Sequence, residues 1–178
     1  MQELRDFTFV HKYFLDEKQQ SLWFLIIGIA AIALAVLFYF FIKTNSSFFK
    51  GAAIPLLAIG ITQGIVGYTV YSRSDTQRMD VAYYIGVETT PYTKQMELPR
   101  MEKVMKNFTI YRYVEILLAL AGLGLFLYFR SNKTKMFWKG LGLTLAIQAL
   151  LMLGADYFAE KRGAGYQREL QKMMVSDN

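Results

Sequence analysis

Six charged or amide side chains sit inside largely apolar stretches of this chain: Gln63, Arg112, Glu115, Lys139, Gln148 and Asp156. A charge at the centre of a bilayer costs roughly 2.5–3.5 kcal/mol on insertion scales, so each such residue marks a place where a ligand, an ion or a partner side chain compensates. Helical spacing puts Glu115 on one face with Arg112, Ala119 and Gly122, and Gln148 on one face with Gly140, Thr144, Ala155 and Arg162. Gln63 lies beside Gly60, Gly64 and Gly67. At 1.5 Å per residue, Glu115, Gln63 and Gln148 lie ~8, ~12 and ~15 Å from the same membrane face, while Lys139 is at the opposite edge.

A polar pocket open toward that face is therefore expected, lined by Gln63, Tyr68, Arg112, Glu115 and Gln148. In it Glu115 could titrate or coordinate an ion, and Arg112 could hold a phosphate. Packing is the competing role: Arg112 and Glu115 could pair at i, i+3, and the two amides could bond across helices. Asp156, two residues from the end of its stretch, is expected to be solvated or paired with Arg162.

Other chemistry is sparse. Cysteine is absent, which removes disulfides, thiolate catalysis and thiolate metal sites. His11 is the one histidine and has no second to complete a metal or haem site. There is no G-x-S-x-G elbow and no phosphate-binding glycine loop, so neither a catalytic residue, a metal nor a cofactor is assigned. The sequons at Asn45, Asn107 and Asn132 fall on both membrane faces and read as chance.

The elements that must position these residues are four apolar stretches, 22–42, 51–71, 110–129 and 137–158. Each has about 20 residues, the length an α-helix needs to cross a hydrocarbon core, and backbone groups in lipid must be satisfied within the segment. The expected fold is an all-α integral membrane protein: a single domain over 1–178, with four transmembrane helices in a bundle. A small helical cap is expected from 72–109 and the termini. Soluble classes and nucleic-acid binders drop out despite the net charge of +6.

Local signals refine this outline. An opening carrying Glu3, Asp6, Asp16 and Glu17 does not resemble a cleavable signal peptide, so the first span is expected to be retained. Phe7, Val10 and Phe14 share a face and suggest an interfacial helix over 6–20. Ser74 followed by Gln77 fits a capping box and a short helix over 75–84. Pro91 and Pro99 each suit a helix start, and from Pro99 one continuous helix of about 30 residues is expected to run through the third span. Its face carries Met101, Met105, Phe108, Arg112 and Glu115. Gly163 and Gly165 are expected to break the last helix. The Gly60/Gly64 pair is assigned to packing within the chain, and no internal repeat stands out.

Four spans place both termini and the 72–109 loop on one side, and the turns 43–50 and 130–136 on the other. The turn side, with Lys43, Lys50, Arg130, Lys133, Lys135 and Lys139, has no acidic residue, whereas the other 14 Lys/Arg balance all 14 Asp/Glu. Short basic turns favour the cytoplasm, so a plasma (inner) membrane protein with both termini outside is expected. Aromatic residues mark both interfaces: Trp23, Tyr71, Tyr111, Tyr113 and Tyr157 on the loop side, and Phe40, Phe41, Tyr128, Phe129, Phe137 and Trp138 on the turn side. In the cap, Asp75, Asp80, Glu88, Glu97 and Glu102 alternate with cations and read as a solvated surface. Arg73, Arg78, Arg100 and Glu102 are its candidate interaction residues.

The expected function is non-catalytic: a membrane-embedded binding or accessory protein, of subunit or immunity/inhibitor type. It would engage a protein on the cap side, or a bound lipid, through cap and pocket. The alternatives are a small transporter or oligomeric channel using Glu115, and a lipid-modifying enzyme with Glu115 as acid or base. Beyond the bilayer no nucleic-acid partner is expected, and the sequence sets no oligomeric state.

Overall fold

The computed structural model describes residues 7–44 and 46–176, so Glu3, Asp6 and Asn45 lie outside the described residues. Five α-helices follow in order: α1 (Thr8–Phe40), α2 (Ser46–Val87), α3 (Thr89–Tyr92), α4 (Leu98–Phe129) and α5 (Met136–Ser176). A π-turn, Thr93–Glu97, leads into α4, and a 3₁₀ turn, Lys133–Lys135, precedes α5. Among the described residues there is no strand, and four helices are long and apolar enough to cross a membrane. Their middles expose Ile26, Ile29, Leu34, Ile65, Leu117, Leu120 and Leu151, as lipid-facing helices do and a water-soluble core would not. These features are compatible with a multi-pass membrane protein.

The helices run on well past the apolar stretches. The 6–20 segment is the first part of α1, with no break before the span. No separate helix starts at Ser74: α2 continues unbroken, and the buried Ser74 hydroxyl donates to the Val70 carbonyl (2.7 Å) instead of capping. Nor do Gly163 and Gly165 end α5. Gly163 is buried, and a Cβ there would lie 3.2 Å from Met105 Sδ, so this glycine admits α4 rather than breaking its own helix. The expected helix from Pro99 through the third span is α4.

Small residues make the seams. In the antiparallel α1–α2 hairpin, a Cβ on Gly28 would lie 2.7 Å from the Gly60 carbonyl oxygen, and one on Gly67 2.7 Å from that of Ser21. The GxxxG pair is thus spent within the chain. In the α4–α5 hairpin, Gly122 and Gly142 meet in the same way, each virtual Cβ 2.7 Å from the other's carbonyl oxygen. The hairpins join through α2 and α5, which run parallel; α1 and α4 each flank their own partner.

That joint reveals a repeat which the sequence reading did not find. A Cβ on Gly51 would lie 2.0 Å from the Phe137 carbonyl oxygen, and one on Gly140 would lie 2.0 Å from the Phe48 carbonyl oxygen. Phe48 and Phe137, like Gly51 and Gly140, are 89 positions apart. At the same offset Tyr39, Phe40, Lys50, Leu56, Tyr68 and Arg73 recur as Tyr128, Phe129, Lys139, Leu145, Tyr157 and Arg162. The two hairpins thus meet through a reciprocal contact between α2 and α5.

At the loop end the helices share a core of Val10, Tyr13, Phe14, Val81, Ile85, Leu98, Met101, Tyr166 and Leu170. Within it Glu97, only 1% exposed, accepts from Arg100 Nε (2.8 Å), Arg100 Nη2 (2.7 Å) and the Tyr166 hydroxyl (2.8 Å). Glu97 is therefore not part of a solvated surface, because the π-turn carries it beneath the start of α4. Arg100 lies over Phe14 and Tyr13 stacks on Tyr166, tying α1, α4 and α5 together. Burial, and then the neighbouring Glu17 and Glu97 respectively, push the Tyr13 and Tyr166 hydroxyls above the usual phenol range. Burial alone would lower Arg100, but the Glu97 bond outweighs it and holds the guanidinium charged.

Candidate functional site: a carboxyl pair beside an apolar cavity

The face expected along α4 is the α4–α5 seam. Met101 and Met105 pack toward Gly163, Arg112 forms an ion pair with Glu160, and Gly122 closes on Gly142. Between these levels Glu115 is 3% exposed and neither carboxyl oxygen has a hydrogen-bond donor. Its neighbour across the seam is another carboxyl, that of Asp156 on α5. Arg112 and Glu115 do not pair, because α4 turns Arg112 toward Glu160. Asp156 is not paired with Arg162 either; Arg162 bonds Gln20 of α1, and Gln20 donates to the Ala155 carbonyl (3.0 Å).

Two ionised carboxylates can only accept hydrogen bonds, so this pair needs a proton or another cation between them. Burying them without one carries a penalty of several kcal/mol per charge. The first hairpin has no counterpart: 89 positions earlier stand Ile26 and Gly67. Gly67 lets the α1 backbone come close, whereas Asp156 brings a side chain into the same level of the second seam.

Beside the pair lies a cavity of about 440 Å³ between α4 and α5. Its walls are mostly apolar, with Phe108, Ile116, Leu150, Leu153 and Gly154, while Arg112, Asp156 and Glu160 supply its charges. A Cβ on Gly154 would meet no atom within 4 Å.

The five expected pocket residues are not all gathered there. Arg112 lines the cavity, and Glu115 stands behind Asp156. Gln63 is buried in the α1–α2 seam next to Gly28, its Oε1 without a partner, and the Oε1 of half-buried Gln148 also has none. Tyr68 faces outward, 64% exposed. Of the cap residues, Arg73 and Glu102 are exposed, Arg78 pairs with Asp75 (3.6 Å), and Arg100 is committed to Glu97. Glu17 is half-buried with one oxygen unpartnered; burial raises its pKa against the opposing fields of Arg73, Arg100 and Arg162.

Sequence reasoning undervalued Asp156, Glu160 and Glu97. Asp156 and Glu160 fall at i, i+4, and antiparallel α4 brings Glu115 and Arg112, at i, i−3, to the same two levels. That signal was available once the two stretches were taken as neighbours. No protein-family model matches the chain, and no similarity to a curated protein or a solved structure was detected.

Proposed function

We propose that this chain is a non-catalytic binding or accessory protein that holds a membrane amphiphile, a lipid or lipid-like molecule, in the α4–α5 cavity. The observation that carries this reading is the cavity itself: apolar walls on a lipid-facing seam, with charged groups at the end nearest the long loop. Sites for small molecules are typically 300–1,000 Å³, mostly apolar, with a few placed polar groups. In this reading the four spans form a bundle, and the loop-end core with 72–109 and the chain ends forms its cap. The basic turns lie in the cytoplasm of a plasma (inner) membrane protein. The exposed cap residues Arg73 and Glu102 are the surface left for a protein partner, as a subunit or an immunity-type inhibitor would use.

Gentle extraction followed by native mass spectrometry tests the reading. A stoichiometric lipid adduct that disappears in Gly154→Leu, with the fold retained, supports it. A bare chain in both forms refutes it.

A second reading, ion or proton transport through Glu115, is favoured by the unpartnered Glu115 carboxyl. Loss of flux across liposomes in Glu115→Gln supports it, and unchanged flux sets it aside. The enzyme reading is weakened because Arg112, its phosphate-holding group, is already paired with Glu160.

A further inference from the structure

We propose that the α4–α5 cavity selects amphiphiles whose head group is a cation, an ammonium seated at Asp156 in front of Glu115. The proposal rests on the amphiphile reading above and adds the charge of the head. The argument is a count of charges at one level of the seam. From α4 come Arg112 and Glu115, and from α5 come Asp156 and Glu160. Arg112 and Glu160 neutralise each other. Further along α5, Lys161 is exposed and Arg162 is engaged by Gln20 of α1. Between 51 and 71, α2 has no Asp, Glu, Lys or Arg, so it supplies no countercharge there.

Two carboxyls are left without a cation, and Glu115, 97% buried, has no donor of its own. An anionic head would add a third negative charge to this level, and an uncharged one would bring no cation to it. An ammonium supplies what they lack. Phe108 and Tyr157 also line the cavity, and aromatic rings attract a quaternary ammonium. Ile116, Leu150 and Leu153 line the part toward the bilayer centre and suit the tail.

Protons compete with an ammonium for carboxylates, so binding is expected to weaken as pH falls. The test uses the full chain in nanodiscs of an uncharged glycolipid and three probes with the same twelve-carbon tail: dodecyltrimethylammonium, dodecyl sulfate and dodecyl maltoside. We expect one dodecyltrimethylammonium per chain, bound about tenfold or more tighter than the other two, the size of one charge-assisted contact. Asp156→Asn should remove that preference and its pH dependence, as should Glu115→Gln, with unchanged melting as the check on folding. Equal binding of all three probes, abolished by Gly154→Leu, overturns the head-group inference and leaves the amphiphile reading standing. No binding of any probe overturns both.

Discussion

Replacing Gly51 or Gly140 by alanine is the sharpest test of how the two hairpins meet. Either new methyl carbon would lie 2.0 Å from a backbone carbonyl oxygen of the facing helix, and that oxygen cannot rotate away. An ordinary carbon–oxygen contact is about 3.3 Å, so α2 and α5 must part by more than ~1 Å. A gap of 0.5–1 Å forfeits a quarter to a half of each neighbouring contact, and overpacking of this kind costs about 1–3 kcal/mol. Alanine returns roughly 0.5–1 kcal/mol in helix propensity. With the overpacking cost at its upper end, because the approach is more than ~1 Å too close, the net expectation is about 2 kcal/mol of lost stability for each variant. Because the contact is reciprocal, the two costs should agree within about 0.5 kcal/mol. Separating the helices for one methyl also makes room for the other, so the double variant should cost well under the sum. Unfolding in mixed micelles, followed through Trp23 and Trp138, gives all three values. Additive costs, or single costs that differ by more than about 1 kcal/mol, would refute the reciprocal contact.

Three further outcomes are expected. Gly64→Ala and Gly124→Ala, whose new carbons meet nothing within 4 Å, should be neutral or stabilising by up to about 1 kcal/mol in the same assay. Glu97→Gln should cost about 2–3 kcal/mol, at the low end for a broken buried pair because Arg100 keeps some solvent access, whereas Tyr166→Phe should cost about 1 kcal/mol. Glu17 has a raised pKa in the folded protein, so its protonated form is the one that folding favours. Its stabilising contribution is complete below the ordinary carboxylate range and is lost as pH rises through the elevated value. Glu17→Gln should therefore gain on the parent protein as pH is raised from 4 to 7, and a pH-independent difference in melting would count against the burial of that carboxyl.

Much of the fold was legible because its strongest signals are long ones. Four apolar stretches, outward aromatic residues and a 3.6-residue stripe from Met101 to Glu115 each extend over several turns, and the structure follows them. Short signals fared worse. The capping box at Ser74 and the glycines at 163 and 165 are single-turn cues, and both were overridden by packing: Ser74 is buried in a continuing α2, and Gly163 is pressed against Met105. The repeat escaped notice because its identities concentrate around the turns and the α2–α5 contact, while lipid-facing positions exchange one apolar residue for another. Arg112 and Glu115 were recognisable from their depth alone. Their partners Glu160 and Asp156 were not, since pairing across a seam depends on which helices become neighbours, which α4 alone does not encode.

The reciprocal α2–α5 contact has an evolutionary consequence. A single hairpin of this kind would meet an identical partner through the same contact and could assemble as a homodimer. In such a dimer any substitution appears twice, and a Glu115–Asp156 pair would place four carboxyls in the membrane. A chain that holds both hairpins fixes their ratio and lets one of them carry the carboxyls once, while Ile26 of the other faces outward.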